Sequence, residues 1–349
     1  MNRNDNELIK YSSNATDFIK KYLLLIILIC TCVIGIIISP AIFPSPTNIQ
    51  NILFSCCIYG IITVGQALVM LVKEIDLSVG SIVAFAPVTS IFIINKIMIA
   101  ATQQSIIVGG NYIQASFLPI VLLTILIGAL VGIANGVIVV KLKVPSLITT
   151  LGMLNALAGL TYLFSGGYAQ YLTKIPNVNW IGTNTVSGIL PVSFIVYLAI
   201  GLTMVWLLGR TKFGKRIYST GGNEKAALFS GINTGKWKTI SFGLSGMFAG
   251  VAAILYSSRL ESVEAIQGQG YELFSIAIAV IGGITLQGGK GTMAGTILAA
   301  LILSIVLNIM SLLGLVSWYQ TIITGLIIVF AALMHTYTEK SKTKRLIAN

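Results

Sequence analysis

Residues 209–216 read GRTKFGKR, a run whose glycines and lysine raise the chemistry of phosphate binding. Seven of its positions fit a phosphate-binding loop, in which freed backbone N–H groups cradle phosphates and a lysine reaches them. The eighth does not, because Arg216 stands where a Ser or Thr would hold magnesium, and an apolar helix precedes the run in place of a strand. The glycine-rich LQGGKGT at 286–292 also lacks the pattern and reads as a tight cytoplasmic turn. ATP hydrolysis is therefore not expected on this chain. His335, the single histidine, has no Ser and Asp with which to build a nucleophilic triad. Cys30, Cys32, Cys56 and Cys57 all lie in apolar runs, where they read as small apolar filler and not as metal ligands or a disulfide staple. No catalytic residue, no metal site and no cofactor bound by the chain itself are expected.

What remains is uncharged polar chemistry. Gln66, Asn135, Asn155 and Asn308 fall inside apolar runs. Each amide has the donors and acceptor to line a pathway for a neutral polar solute, or to hold a neighbouring helix. Ionisable groups are missing from the interiors of these runs: Glu272 and His335 stand at run ends, and Lys73, Glu74 and Asp76 between the second and third. A proton- or sodium-driven carrier usually carries an acidic or histidine switch within the membrane, so energy for any transport must come from elsewhere. Asp76, Ser78 and Gly80 form a helix-junction motif, with Asp76 and Ser78 either capping the third run or touching solute.

The elements that must position these groups follow from composition. Hydrophobic residues make up 56% of the 349-residue chain and charged residues 9%, with a mean hydropathy of +0.92. That balance places the chain in a bilayer, where helices and closed barrels alone satisfy their backbone groups. Barrel strands alternate, whereas these runs are apolar throughout. We read ten, near 22–43, 50–72, 79–94, 118–140, 146–165, 189–209, 239–257, 272–286, 291–314 and 317–335, the third and eighth being short. The expectation is an all-α polytopic membrane bundle of about ten helices, a single transmembrane domain over 1–349. The first run follows Lys20 and Lys21 without a small-residue cleavage site, so it reads as a retained helix and not a signal peptide.

With both termini in the cytoplasm, nineteen of the 22 Lys and Arg residues fall inside and only Lys96, Lys174 and Arg259 outside. This asymmetry fixes the expected orientation. Residues 1–21 and 336–349 become cytoplasmic tails and 210–238 the longest cytoplasmic loop. It also accounts for the net charge of +12. The basic residues are scattered over separate segments with no aromatic platform, so nucleic-acid binding is not expected. Small residues recur at packing intervals, as Gly128, Gly132 and Gly136, Gly246 and Gly250, and Gly291 and Gly295.

Within the long loop, GGNEKAALFSG reads as a short helix. Asn223 suits its N-cap, Glu224 the positive end of its dipole, and Gly231 its end. Leu228 and Phe229 cannot be buried inside so small an element, so they must press on the membrane face of this protein, on a partner, or on lipid at the interface.

Taken in order, EIDLSVGS (74–81), PSLITTLGML (145–154), GGNEKAALFSGIN (221–233), GYELFSIAIAVIGGITLQGGKGT (270–292) and WYQTIITGLIIVFAAL (318–333) resemble the ribose, galactose and xylose permease family of bacterial ABC importers. The resemblance covers about residues 50 to 335. It implies a multi-pass permease subunit of the bacterial cytoplasmic (inner) membrane, importing a monosaccharide or a similar neutral solute. The implied partners are a second permease copy, cytoplasmic ATP-binding subunits that carry ATP and Mg, and an extracytoplasmic solute-binding protein. It further implies that Asn223, Glu224, Ala226, Ala227, Leu228, Phe229, Ser230 and Gly231 form the segment that couples to the ATPase. A nucleoside or a sugar-derived signal is the alternative cargo, and a stand-alone carrier or channel the alternative class. Two positions depart from the usual family pattern: Lys73 and Glu74 stand where it has Gly-Gly, and Phe274 where it has an acidic residue. The outer loop 95–117 reads, by position and length, as a receptor contact or equally as a re-entrant segment.

Overall fold

A computed structural model describes residues 22–102, 117–173, 175–316 and 318–329, except 324, 327 and 328. The tails 1–21 and 336–349, His335, Lys174, most of the outer loop and much of the tenth apolar run lie outside the described residues. Those described form helices joined by short loops. Seven are long and apolar enough to cross a membrane: α2 (Pro46–Leu71), α3 (Val79–Thr102), α4 (Phe117–Lys141), α5 (Ser146–Ser165), α7 (Val192–Arg210), α10 (Thr234–Leu260) and α12 (Met293–Leu312). Two shorter apolar helices accompany them, α1 (Tyr22–Ile38) and α11 (Tyr271–Ile281). α6 (Trp180–Thr183), α8 (Lys212–Gly222) and α9 (Glu224–Phe229) are shorter, and described residues from 318 onward are helical as well.

The expected run boundaries differ from these helices where polar residues extend or stop them. α10 starts at Thr234, because Asn233 caps it by accepting from the Lys236 N–H at 2.9 Å, and its polar first turn lies outside any hydropathy window. α11 stops at Ile281, well short of the expected 286, because Gly282 and Gly283 break it and Gly283 adopts φ +90°. At 11 residues it is too short to cross a bilayer alone. The GRTKFGKR run is helical on both sides of Thr211, whose hydroxyl bonds the Phe213 N–H and the Leu207 carbonyl at the turn between α7 and α8.

α2 is the enclosed centre, buried along most of its length and packed by α10, α12, α11 and α7. α4 lies along α10 so closely that a Cβ on Gly128 or Gly132 would overlap the carbonyl oxygens of Gly246 and Phe242. The predicted stripes on α4 and α10 therefore form one seam, in which close approach replaces side-chain interdigitation, while Gly291 and Gly295 pack instead against 282–284. α4, α5 and α7 each leave apolar side chains exposed, among them Leu122, Leu126, Ile148, Leu151 and Trp206. At the end of α10, two-residue strands β1 (Gln170–Tyr171) and β4 (Ser262–Val263) pair antiparallel, as do β2 (Thr185–Val186) and β3 (Leu190–Pro191). Leu172, Ile175 and Val178 close a small core with Val88, Ile91, Phe117 and Ile254. All four cysteines are free, and Cys56 and Cys57 are fully buried in the bundle.

Candidate functional site

Two glycine pairs, 221–222 and 288–289, meet the end of α2. The Gly289 N–H donates to the Leu71 carbonyl at 2.9 Å. A Cβ on Gly221 would overlap both groups, and one on Gly288 would strike Lys73. The 221–222, 288–289 and 71–73 segments thus touch backbone to backbone, a contact that only glycine permits. Lys73 itself holds φ +67°, a left-handed conformation that suits glycine.

From this knot α9 projects. Asn223 Oδ1 accepts from the Ala226 N–H at 3.0 Å, which caps the helix, and Glu224 occupies its first turn. At the other end Gly231 takes φ +77° and the Ile232 N–H closes on the Ala227 carbonyl at 3.0 Å. Ala227 is buried while Leu228 is half exposed and Phe229 is 93% exposed. Glu224 is anchored twice, its Oε1 accepting from the Thr234 hydroxyl at 3.2 Å and its Oε2 facing Lys238 Nζ at 2.9 Å. The same ammonium reaches Glu74 Oε1 at 2.9 Å.

The α2–α3 junction beside Glu74 is polar and buried. Asp76 and Ser78 are both fully buried. Asp76 Oδ1 accepts from the Ser78 N–H at 3.0 Å and from its hydroxyl at 2.6 Å, and Asn135 Nδ2 donates to Ser78 Oγ at 2.8 Å. Burial pushes the Asp76 carboxyl above the usual carboxylate range, against the pull of the two Ser78 bonds. The Ser245 hydroxyl faces the same carboxylate and also lowers its pKa, while Asn135 Oδ1 is buried without a hydrogen-bond partner. Asp76 thus holds the Ser78 N–H and hydroxyl just ahead of α3, and Asn135 reaches the same hydroxyl from α4.

A cavity of about 180 Å³ opens on the other side of this junction, lined by Ser81 and Ala84 of α3, Asn155 and Tyr162 of α5, Gln267, and Glu272. Gly80 makes room for Glu272 beside it: a Cβ there would overlap the Glu272 carboxylate and the Gly268 carbonyl. Gln267 Nε2 is tied to the Ser257 hydroxyl at 3.2 Å and to the Val83 carbonyl at 3.4 Å. The four amides picked from the sequence are not brought together. Asn155 lines the cavity, and Asn135 belongs to the Asp76 network. Asn308 exchanges amide bonds with Asn48 at 2.7 and 3.0 Å beside a separate cleft, and Gln66 is fully buried in α2. Phe274 stacks on Tyr59 with ring centroids 5.1 Å apart, where Tyr271 also meets Tyr59 edge-on at 5.0 Å.

Residues 48–332 match the family described as branched-chain amino acid transport system, permease component. The chain belongs to this family. The permease is 36% identical over 326 residues to the ribose import permease protein RbsC of Haemophilus influenzae, covering 93% of this chain and 94% of that one. It is 36% identical over 300 residues to RbsC of Escherichia coli K12, covering 85% and 88%. It is 34% identical over 269 residues to the autoinducer 2 import system permease protein LsrC of Yersinia pseudotuberculosis, covering 77% and 71%. No solved structure matches it.

A permease that spans the membrane many times explains the apolar outer faces. Two groups in it escaped sequence reasoning. Glu272 read as a run-end carboxylate, because nothing local says that the first turn of α11 packs over Gly80. Lys238 read as one of many cytoplasmic cations. Its position one turn into α10, four residues after Thr234, was the available signal that it faces the same side as the Glu224 partner.

Proposed function

We propose that this permease is the membrane subunit of an ATP-driven importer, passing a monosaccharide or a sugar-derived solute delivered by an external binding protein. The observation that carries the reading is Phe229, 93% exposed at the end of a doubly capped helix in a cation-rich segment. A large aromatic held out rigidly is what an ATPase groove would receive, and Leu228 flanks it. On this reading Asn223, Glu224, Ala226, Ser230 and Gly231 set the helix and Ala227 seats it. ATP and Mg then belong to the partner ATPase. The full arrangement has about ten spans with both termini cytoplasmic, and a second permease copy covers part of the exposed apolar surface.

Asn155, Ser81, Gln267 and Glu272 form one wall of the passage, where hydroxyls of a neutral solute exchange water for amide and carboxylate partners. Asn135 and Asn308 bond neighbouring helices on this reading, and Gln66 is buried in α2. The RbsC relatives favour ribose-like cargo and the LsrC relatives a sugar-derived signal, so both solutes belong in the assay. The test is uptake into proteoliposomes holding the permease with its ATPase and binding protein. Uptake should require internal ATP and fall at least about 30-fold in Phe229→Asp, the loss of a central contact worth about 2 kcal/mol or more. Uptake that follows a solute gradient and ignores both ATP and the substitution would sink the reading.

A further inference from the structure

Glu74 stands where the resembled family has glycine, and the structure gives it a partner. Lys238 Nζ lies 2.9 Å from Glu74 Oε1 and 2.9 Å from Glu224 Oε2, with Lys238 and Glu74 mostly shielded from solvent and Glu224 half exposed. One ammonium on α10 therefore joins α9 to the α2–α3 junction. The next residue, Ile75, is fastened to α5: its N–H donates to Ser146 Oγ at 3.3 Å, and Thr150 Oγ1 donates to its carbonyl at 3.4 Å. Beyond it the Asp76–Ser78 pair starts α3, and the Ser81 hydroxyl donates to the Ser78 carbonyl at 3.0 Å. α3 and α5 are the walls that present Ser81 and Asn155 to the cavity.

We infer that Lys238 and Glu74 are positioning residues for transport, forming an ionic tether through which α9 moves the α3 and α5 walls of the solute cavity. The glycine knot also connects α8 to the end of α2, but Gly221 of α8 meets Leu71 by packing alone, the knot's hydrogen bond to Leu71 coming from Gly289. An ion pair resists separation as well, so it can return the walls when α9 withdraws. Thr234, by holding the other Glu224 oxygen, keeps that carboxylate aimed at Lys238. This inference rests on α9 being the ATPase-docking element.

The experiment uses the assembled transporter in proteoliposomes and reads solute imported per ATP hydrolysed, together with co-purification of the ATPase subunit. In Lys238→Met and Glu74→Gln, import per ATP should fall about five- to tenfold while the ATPase subunit co-purifies as in wild type. The double variant Glu74→Gln with Lys238→Met leaves no newly unpaired charge at Glu74 and should show the same loss, which separates the tether from a charge-burial defect. Lys238→Arg, whose guanidinium can bridge both carboxylates, should retain import per ATP within about twofold. Unchanged import per ATP in Glu74→Gln overturns the tether, as does wild-type coupling in the double variant. Wild-type uptake that needs no ATP strikes the proposed function instead, so the two failures are distinct.

Discussion

At the scale of single residues, the buried carboxylate is the sharpest case. Asp76 accepts two bonds from Ser78 in a fully buried setting, so its removal strands the Ser78 N–H and hydroxyl and disturbs Asn135 as well. We expect Asp76→Ala to lower the unfolding free energy by about 2–3 kcal/mol. Asp76→Asn keeps an oxygen for Ser78 and removes the desolvated charge, so its cost should be under about 1 kcal/mol. Thermal unfolding of the two variants in detergent tests the ordering, and equal losses would remove the argument. Lys73 gives the opposite sign. Its φ of +67° penalises any side chain, and Lys73→Gly should raise stability by about 0.5–1 kcal/mol in the same assay. The motif letters EIDLSVGS marked this region from the sequence, but burial did not, because a residue between two apolar runs reads as solvent-facing until the neighbouring helices are in place.

At the scale of elements, α9 is the piece whose sequence signals and structure agree most directly. An N-cap, an acid in the first turn and a glycine at the end are local chemistry, and local chemistry suffices for six residues. Its orientation is another matter, being set by Glu224 gripping Thr234 and Lys238 and by Gly221 meeting Leu71. Asn223→Ala should cost about 1 kcal/mol locally and raise amide exchange across 224–229 about fivefold, with the transmembrane helices unaffected. Exchange that rises throughout α10 as well would mean that α9 is not a separate unit. The α4–α10 seam offers a harder test. Gly246→Leu places side-chain atoms where the Gly128 carbonyl sits, and with backbone on both sides neither helix can yield cheaply. A loss of at least about 3 kcal/mol, seen as failure to purify a monodisperse protein, is expected. Gly152→Leu on α5, where nothing lies within reach of a Cβ, serves as the tolerated control.

At the scale of the whole molecule, the sequence by itself determined the solvent, the helical class and most helix positions. A chain with 56% hydrophobic and 9% charged residues has no soluble fold that hides so much apolar surface, and unalternating runs leave only helices. α4, α5, α7 and α12 lie within a few residues of their expected runs, because their ends coincide with changes in hydropathy. α10 and α11 do not, because a polar cap lengthens one and a glycine pair shortens the other without changing the apolar signal much. Which groups share a site was decided only by the tertiary structure. Hydropathy measures transfer from water to lipid and is blind to which neighbour replaces the water. Asn155 and Asn308 look alike by that measure, yet one lines a cavity with Glu272 while the other pairs with Asn48. The convergence of Leu71, Gly221 and Gly289, and the bridging of Glu74 to Glu224 by Lys238, depend on helices crossing at angles and depths fixed by packing. Those long-range contacts arise from the sum of many apolar fits, which no single segment of the chain encodes.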